Sequence, residues 1–303
     1  MEYPKNIMEF EKQFATDKQC REYLYHIRYR NGFSCPRCGY SKTWHTGRGK
    51  FQCQGCGKDI SVMAGTIFQD THIELSLWFR AIWYIVAQKH GTNALNLQNI
   101  LGLGSYRTAW TMLHKLRRAM VRPGRDKLEG RIEVDECYIG GVKQGGKRGR
   151  GAENKVLVAV AVEVNDNKTG RVRLKVIDDA SAESLHCFVL ETIQDGSTII
   201  TDGWNGYNGL SEIGYVQEVK QKTDDESLLP HVHTTVSLLK RWILGTLQGS
   251  CSKEYLAYYL DEYTFRYNRR KSRSRGLLFL RLLENAVQIE TTTYKQLISK
   301  ENN

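Results

Sequence analysis

No stretch of this 303-residue sequence approaches the ~20 consecutive apolar residues that a membrane-spanning helix needs. Its amino-terminal segment also lacks the apolar core of a secretory signal. The expectation is a cytoplasmic protein whose eight cysteines stay reduced. Carboxylates are outnumbered, 33 Asp and Glu against 44 Lys and Arg, leaving a formal charge of +11. That deficit points to a polyanionic partner, because basic surfaces bind phosphate backbones in a salt-sensitive way. The chain is long enough for two or three domains with cores of their own.

Four of the cysteines are grouped: Cys35-Pro36-Arg37-Cys38, fourteen residues, then Cys53-Gln54-Gly55-Cys56. Two C-x-x-C knuckles at this separation match a tetrahedral zinc site, and Gly39 and Gly57 permit the tight turns that aim backbone amides at the sulfurs. Cys35, Cys38, Cys53 and Cys56 are therefore expected to hold structural Zn2+, which would supply most of the folding free energy of so small a segment. His45 lies nearby, but the four-sulfur set is complete without it. The basic residues of the ribbon, Arg37 and Lys42 among them, suit either a DNA-touching face or a solvated one.

Helical periodicity over Phe10 to Tyr29 predicts an amino-terminal helix, with Thr16 and Asp17 able to cap its second half. Ser76 to His90 reads as a buried helix. Thr92 to Leu101, the turn Gly102-Leu103-Gly104-Ser105 and a helix from Tyr106 to Met120 describe a helix-turn-helix. Its second helix carries Arg107, Arg117 and Arg118 as candidate DNA contacts. Val121-Arg122-Pro123-Gly124-Arg125 then breaks the pattern.

Beyond this break the periodicity changes to that of strands. Arg131 to Tyr138, Lys155 to Val164 and Arg171 to Ile177 read as strands, the second continuously apolar as a central strand would be. Asn165 to Gly170 has hairpin chemistry. A helix capped by Ser181, a fourth strand at Ser197 to Thr201, a fifth near Tyr215 to Val219 and a helix from near Val232 to Leu244 follow. Asp135 and Asp202 end the first and fourth strands, and His233 comes 31 residues after Asp202. Two strand-end acids can bridge two hard divalent cations in a phosphoryl-transfer site, although the third position here is not a carboxylate. The order of elements predicts an α/β fold with a ribonuclease H-like mixed-sheet domain. The expected boundaries are an amino-terminal helical segment over 1–30, a zinc ribbon over 31–62, a helix-turn-helix region over 70–121, a catalytic domain over 128–285 and a tail over 286–303.

Between Phe10 and Glu284 the chain resembles the zinc-ribbon-bearing DDE transposases of bacterial insertion sequences. The likeness is carried by Cys35-Pro36-Arg37-Cys38-Gly39, Val134-Asp135-Glu136-Cys137-Tyr138-Ile139-Gly140-Gly141, Thr201-Asp202-Gly203-Trp204, Ser237-Leu238-Leu239-Lys240-Arg241-Trp242 and Tyr267-Asn268-Arg269-Arg270. The resemblance implies a transposase that binds terminal inverted repeats, hydrolyses phosphodiesters at the element ends and joins the 3′ ends to target DNA. Asp135 and Asp202 would be the first two ligands of catalytic Mg2+ or Mn2+. The third member, Glu or Asn in relatives, lies seven residues before a lysine. Counting back from Lys240 reaches His233. On a helix those two positions share a face ~10.5 Å apart, so His233 would reach a metal while Lys240 holds a DNA phosphate further along. Imidazole suits manganese better than magnesium. Glu226 taking the third position, and a decayed inactive copy, are the other readings of the departure from Glu.

Two further basic segments fit a DNA partner. Lys147, Arg148 and Arg150 lie in a glycine-rich loop, and Arg269 and Arg270 in a denser run that includes Tyr267. Trp204 and Tyr207 suit either base stacking or core packing. Joining two ends requires at least two active sites, so a homodimer or larger assembly is expected. The competing functions are a zinc-ribbon, helix-turn-helix regulator with a silent carboxy-terminal domain, and a ribonuclease H-like nuclease or resolvase.

Overall fold

The computed structural model describes residues 2–46, 50–122, 124–140, 155–220, 228–248 and 251–299. In chain order it begins with α1 (Ile7–Gln13), α2 (Asp17–Arg28), β1 (Thr43–His45), β2 (Phe51–Cys53), β3 (Asp59–Ile60), α3 (Leu75–Ala87), α4 (Ala94–Leu101) and α5 (Tyr106–Ala119). It continues with β4 (Arg131–Ile139), β5 (Val156–Asn165), β6 (Lys168–Ile177), α6 (Ala182–Thr192), β7 (Thr198–Thr201), β8 (Val216–Val219), α7 (Pro230–Leu247), α8 (Leu256–Asn268), α9 (Arg275–Ala286) and α10 (Tyr294–Ile298). Two compact units result, residues 1–123 with 272–302, and 124–271. Among the described residues no helix is long and apolar enough to cross a membrane.

In the first unit the single amino-terminal helix expected over Phe10 to Tyr29 is two. Thr16 accepts from the Gln19 amide while the Gln19 side chain accepts from the Thr16 amide, a capping box that starts α2 afresh. Phe10, Phe14, Phe79 and Phe279 form an aromatic core with centroids 5.0 to 5.6 Å apart, and Trp83 stacks on Phe10 at 4.9 Å. Phe279 comes from α9, whose Leu278, Leu282, Leu283 and Ala286 are also buried. Residues 272–285, expected in the catalytic domain, thus pack with the first unit, because their apolar stripe is buried among its aromatic side chains. The tail is also built in: Leu297 of α10 is buried, and Tyr294 lies under the Arg107 guanidinium at 3.7 Å. The ribbon is an antiparallel sheet in the order β1-β2-β3, joined to α2 by Tyr25 stacked on Phe51 at 4.0 Å. Asn93 caps α4, and Gly102, with φ +62°, makes the left-handed turn before α5.

The second unit is a five-stranded sheet in the order β6-β5-β4-β7-β8, antiparallel across β4, β5 and β6 and parallel across β4, β7 and β8. The apolar run of β5 sorts by strand alternation. Val156, Val158, Val160 and Val162 face Leu239 and Ile243 of α7 and Leu260 of α8, whereas Leu157, Ala159 and Ala161 face Leu185, Phe188 and Val189 of α6. The β5–β6 hairpin is tighter than expected. Asp166 and Asn167, at φ +49° and +58°, make a two-residue turn whose twist suits the strands. Three antiparallel strands extended by two parallel ones, with helices on both faces, form a ribonuclease H-like mixed-sheet domain.

Candidate active site and metal centres

The four ribbon cysteines converge as their spacing predicts. All four Sγ atoms lie within 4.8 Å of one another, with Cys35–Cys56 at 3.7 Å and Cys38–Cys53 at 3.6 Å. A tetrahedron with zinc–sulfur bonds of ~2.3 Å has edges of ~3.8 Å, so the donor set fits zinc. Gly39 and Gly57, at φ +72° and +69°, close the knuckles by donating to the carbonyls of Cys35 and Cys53. The Arg37 amide donates to Cys35 Sγ at 3.4 Å. Burial opposes ionisation of Cys35, yet the amides of Arg37 and Cys38 and the neighbouring thiols bring its pKa down to about 6. His45 lies outside the cluster, with its ring against Phe51.

The carboxylate site is assembled from three elements distant in sequence. β4 and β7 pair in parallel with Ile132 opposite Ile199 and Glu133 opposite Ile200. β7 ends at Thr201, one residue before Asp202, and the Asp202 charge reaches Asp135. On β4, odd-numbered positions face α7: Glu133 bonds its first turn, and Cys137 and Ile139 join the core that α7 covers. Asp135 shares this face, and His233 Nε2 of α7 stands 3.6 Å from its Oδ2. Burial raises the Asp135 pKa to about 7, reinforced by the charges of Glu136, Asp202 and Glu133, although the Glu136 amide donates to Oδ1 at 2.8 Å. A crowded, half-desolvated group of acids is where a divalent cation compensates the repulsion. Two carboxylates and an imidazole are a donor set that accepts Mn2+ or Mg2+. Asp202 is exposed, and its Oδ1 accepts from the Trp204 amide at 3.0 Å across a turn that Gly203 makes at φ +86°. Among the described residues, only the four cysteines gather three or more ligand atoms within 4.8 Å, so the acid site is the more open of the two.

Lys240 is exposed two turns beyond His233. Its charge reaches Cys137, where it works against the burial that lifts that thiol to about 12. Glu136 points to the opposite face, where it accepts from the Tyr207 hydroxyl at 3.0 Å. Tyr207 is fully buried, which settles it as core packing. Trp204 is half-buried with its indole N–H on the Ala180 carbonyl, and with Tyr138 and Lys155 it lines an open cleft of about 510 Å3. Glu262 of α8 is fully buried and accepts from Arg266 at 2.8 Å, so this acid is not available to a cation. Glu226 lies outside the described residues, as do Lys147, Arg148 and Arg150.

The candidate DNA contacts separate by burial. Arg107 is exposed at the start of α5 and Arg118 is half-buried. Arg117 is only 2% exposed, with its guanidinium donating to the Thr92 carbonyl at 3.4 Å. It cannot reach a phosphate from there, so Arg117 is corrected from a DNA contact to an internal brace. Lys115 is buried likewise, on the Ile67 carbonyl. In the Tyr267-Asn268-Arg269-Arg270 motif, Asn268 exchanges two hydrogen bonds with the Val172 backbone and so covers the edge of β6. Arg270 stacks on Tyr267 and donates to the carbonyls of Thr169 and Gly170, and Arg269 stacks on Phe265. Their intramolecular roles were not visible in a run of cations. Glu133 likewise has a tertiary role that the sequence signals only as an acid inside an apolar strand.

The transposase zinc-ribbon domain family matches residues 15–59, and the ISXO2-like transposase domain family matches residues 127–268. A protein in transposable element ISH50 of Halobacterium salinarum is 26% identical over 279 residues, covering 84% of this chain and 92% of its own length. The two domain matches flank the helix-turn-helix segment and, in chain order, contain the four cysteines, Asp135, Asp202 and His233. The chain belongs to the insertion-sequence transposases that carry an amino-terminal zinc ribbon.

Proposed function

We propose that the protein binds the terminal inverted repeats of its element, cleaves phosphodiesters at the element ends and transfers the 3′ ends to target DNA. The observation that carries this reading is His233 Nε2 at 3.6 Å from Asp135 Oδ2, with the Asp202 charge reaching the same carboxyl. Asp135, Asp202 and His233 would hold Mg2+ or Mn2+. When bound, such cations neutralise the scissile phosphate and favour attack by water and later by a 3′ hydroxyl. Burial and the neighbouring carboxylates favour protonated Asp135 in the cation-free protein, and a cation held there would favour its carboxylate form. Lys240 then takes a phosphate two turns along α7, and the cleft beside Trp204 and Lys155 receives the adjoining strand. Arg107, Arg118, Arg269 and Arg270, with the loop cations Lys147, Arg148 and Arg150, are proposed to contact the backbone, and a homodimer or larger assembly to pair two ends.

The test is nicking of duplex DNA bearing the cognate element end. The wild-type protein with Mn2+ or Mg2+ should nick at the end, and Asp135→Asn should reduce nicking by roughly a thousandfold without loss of end binding. Tight, specific binding with no divalent-dependent nicking would make the protein a regulator instead.

A further inference from the structure

We infer that Glu133 is a positioning residue that fixes the start of α7 on β4 and thereby sets His233 beside Asp135. The inference rests on the reading of Asp135 and His233 as cation ligands.

The first amides of a helix have no partners within it. α7 begins at Pro230 behind Leu229, a residue with no polar side chain to offer as a cap. The cap comes from far away in sequence. Glu133 Oε2 accepts from the amides of His231 at 2.8 Å and Val232 at 2.9 Å, 98 and 99 residues on. Glu133 is only 2% exposed, so its carboxyl depends on these two donors for what water would otherwise provide. The same turn is held from β6, where the Thr169 hydroxyl meets His231 Nδ1 at 2.9 Å. Thr235, one turn further, bonds the His231 carbonyl and meets the Tyr267 hydroxyl of α8 at 3.2 Å.

Glu133 and Asp135 are neighbours on one face of β4, ~6.6 Å apart along the strand. One holds the α7 backbone at residues 231 and 232, and the other meets the side chain of the next residue, His233, at 3.6 Å. Two contacts at matched spacing define the axial position of α7. A slip of one turn, ~5.4 Å, would take His233 out of reach of Asp135. A histidine has fewer ligand geometries than a glutamate and depends more on such placement.

Two substitutions separate an acceptor role from a charge role. Glu133→Gln keeps an acceptor oxygen at the same reach and removes the charge, whereas Glu133→Asp keeps the charge and withdraws the oxygen by one methylene. Positioning predicts that Glu133→Asp weakens Mn2+ binding, followed by electron paramagnetic resonance, and element-end nicking by roughly 10- to 100-fold, while Glu133→Gln stays within about fivefold of wild type. Amide hydrogen exchange at His231 and Val232 should be protected in the wild-type protein and faster in Glu133→Asp. The reverse order of the two variants would make Glu133 a charge or a ligand and overturn the inference. So would Mn2+ binding unchanged in both, or unprotected amides at His231 and Val232 in the wild-type protein, a measurement that needs no variant to fold. Asp135→Asn run in parallel keeps the two readings apart. If it still nicks, the assignment of the site fails whatever the amides report, and if it is inactive while both Glu133 variants behave as wild type, only the positioning role fails.

Discussion

The cysteine cluster and the acid–histidine site gather side chains over very different stretches of chain. Cys35 to Cys56 is a local matter of two knuckles and a short ribbon, and the sulfurs stand at tetrahedral spacing. Asp135 and His233 meet across β4 and α7, and Asp202 follows β7, so these side chains come from elements far apart in sequence, with the start of α7 held on β4 by a buried carboxyl. A local site is complete once its turns form. A site built across elements needs supports that are not themselves ligands, and these supports are where it can be altered without touching a donor atom.

Removing zinc should break the first region and spare the second. Chelation, or Cys35→Ser, is expected to forfeit on the order of 10 kcal/mol of ribbon stability, since binding and folding are one event in so small a segment. Amide exchange would show ribbon protection lost and β4–β5 protection kept. Phe279→Ala should cost the first unit about 3–5 kcal/mol by opening its aromatic core, and chemical denaturation should leave the sheet signals in place. Loss of the sheet signals instead would contradict the assignment of α9 to the first unit.

His233 offers a finer probe. His233→Ala should lower Mn2+-supported nicking by roughly 10- to 100-fold, and His233→Glu should shift the preference toward Mg2+. Equal activity of both variants with either cation would remove His233 from the site. The smallest expected effect is on pH dependence. Burial, and then the Arg117 charge, pull the His114 pKa down from 6.5 to about 2. The unfolded chain takes up a proton near pH 6.5 and the folded one does not. Its contribution is thus complete above pH 6.5 and is lost below it, by about 1.4 kcal/mol per pH unit. Asp135 acts the other way in the cation-free protein. Its folded pKa of about 7 lies above the ordinary 3.8, so its stabilising contribution is lost as pH rises through that window. Exchange measured between pH 5 and 7 should therefore show the two units responding with opposite sign.

These contrasts match what was legible in the sequence. The C-x-x-C pairs announced the zinc cluster because all ligands and turn glycines lie within one short segment. The apolar run Val156 to Val162 and the strand-end acids announced the sheet, since strand alternation and strand order are properties of the chain itself. The roles of Arg117, Lys115 and Asn268 were not announced. Each is a polar side chain whose partner is a backbone carbonyl or amide brought near by tertiary packing, so a basic residue on a helix read as a DNA contact when it was an internal brace. Glu133 was hidden for the same reason, its two donors lying 98 and 99 residues away.

If Asp135, Asp202 and His233 form one cation site, Mn2+ bound there will report on all three through paramagnetic broadening. With the ribbon zinc in place, substoichiometric Mn2+ should broaden the NMR signals of residues flanking all three positions, and Asp202→Asn should abolish the effect. Broadening centred elsewhere, or persisting in Asp202→Asn, would place the cation outside these three side chains.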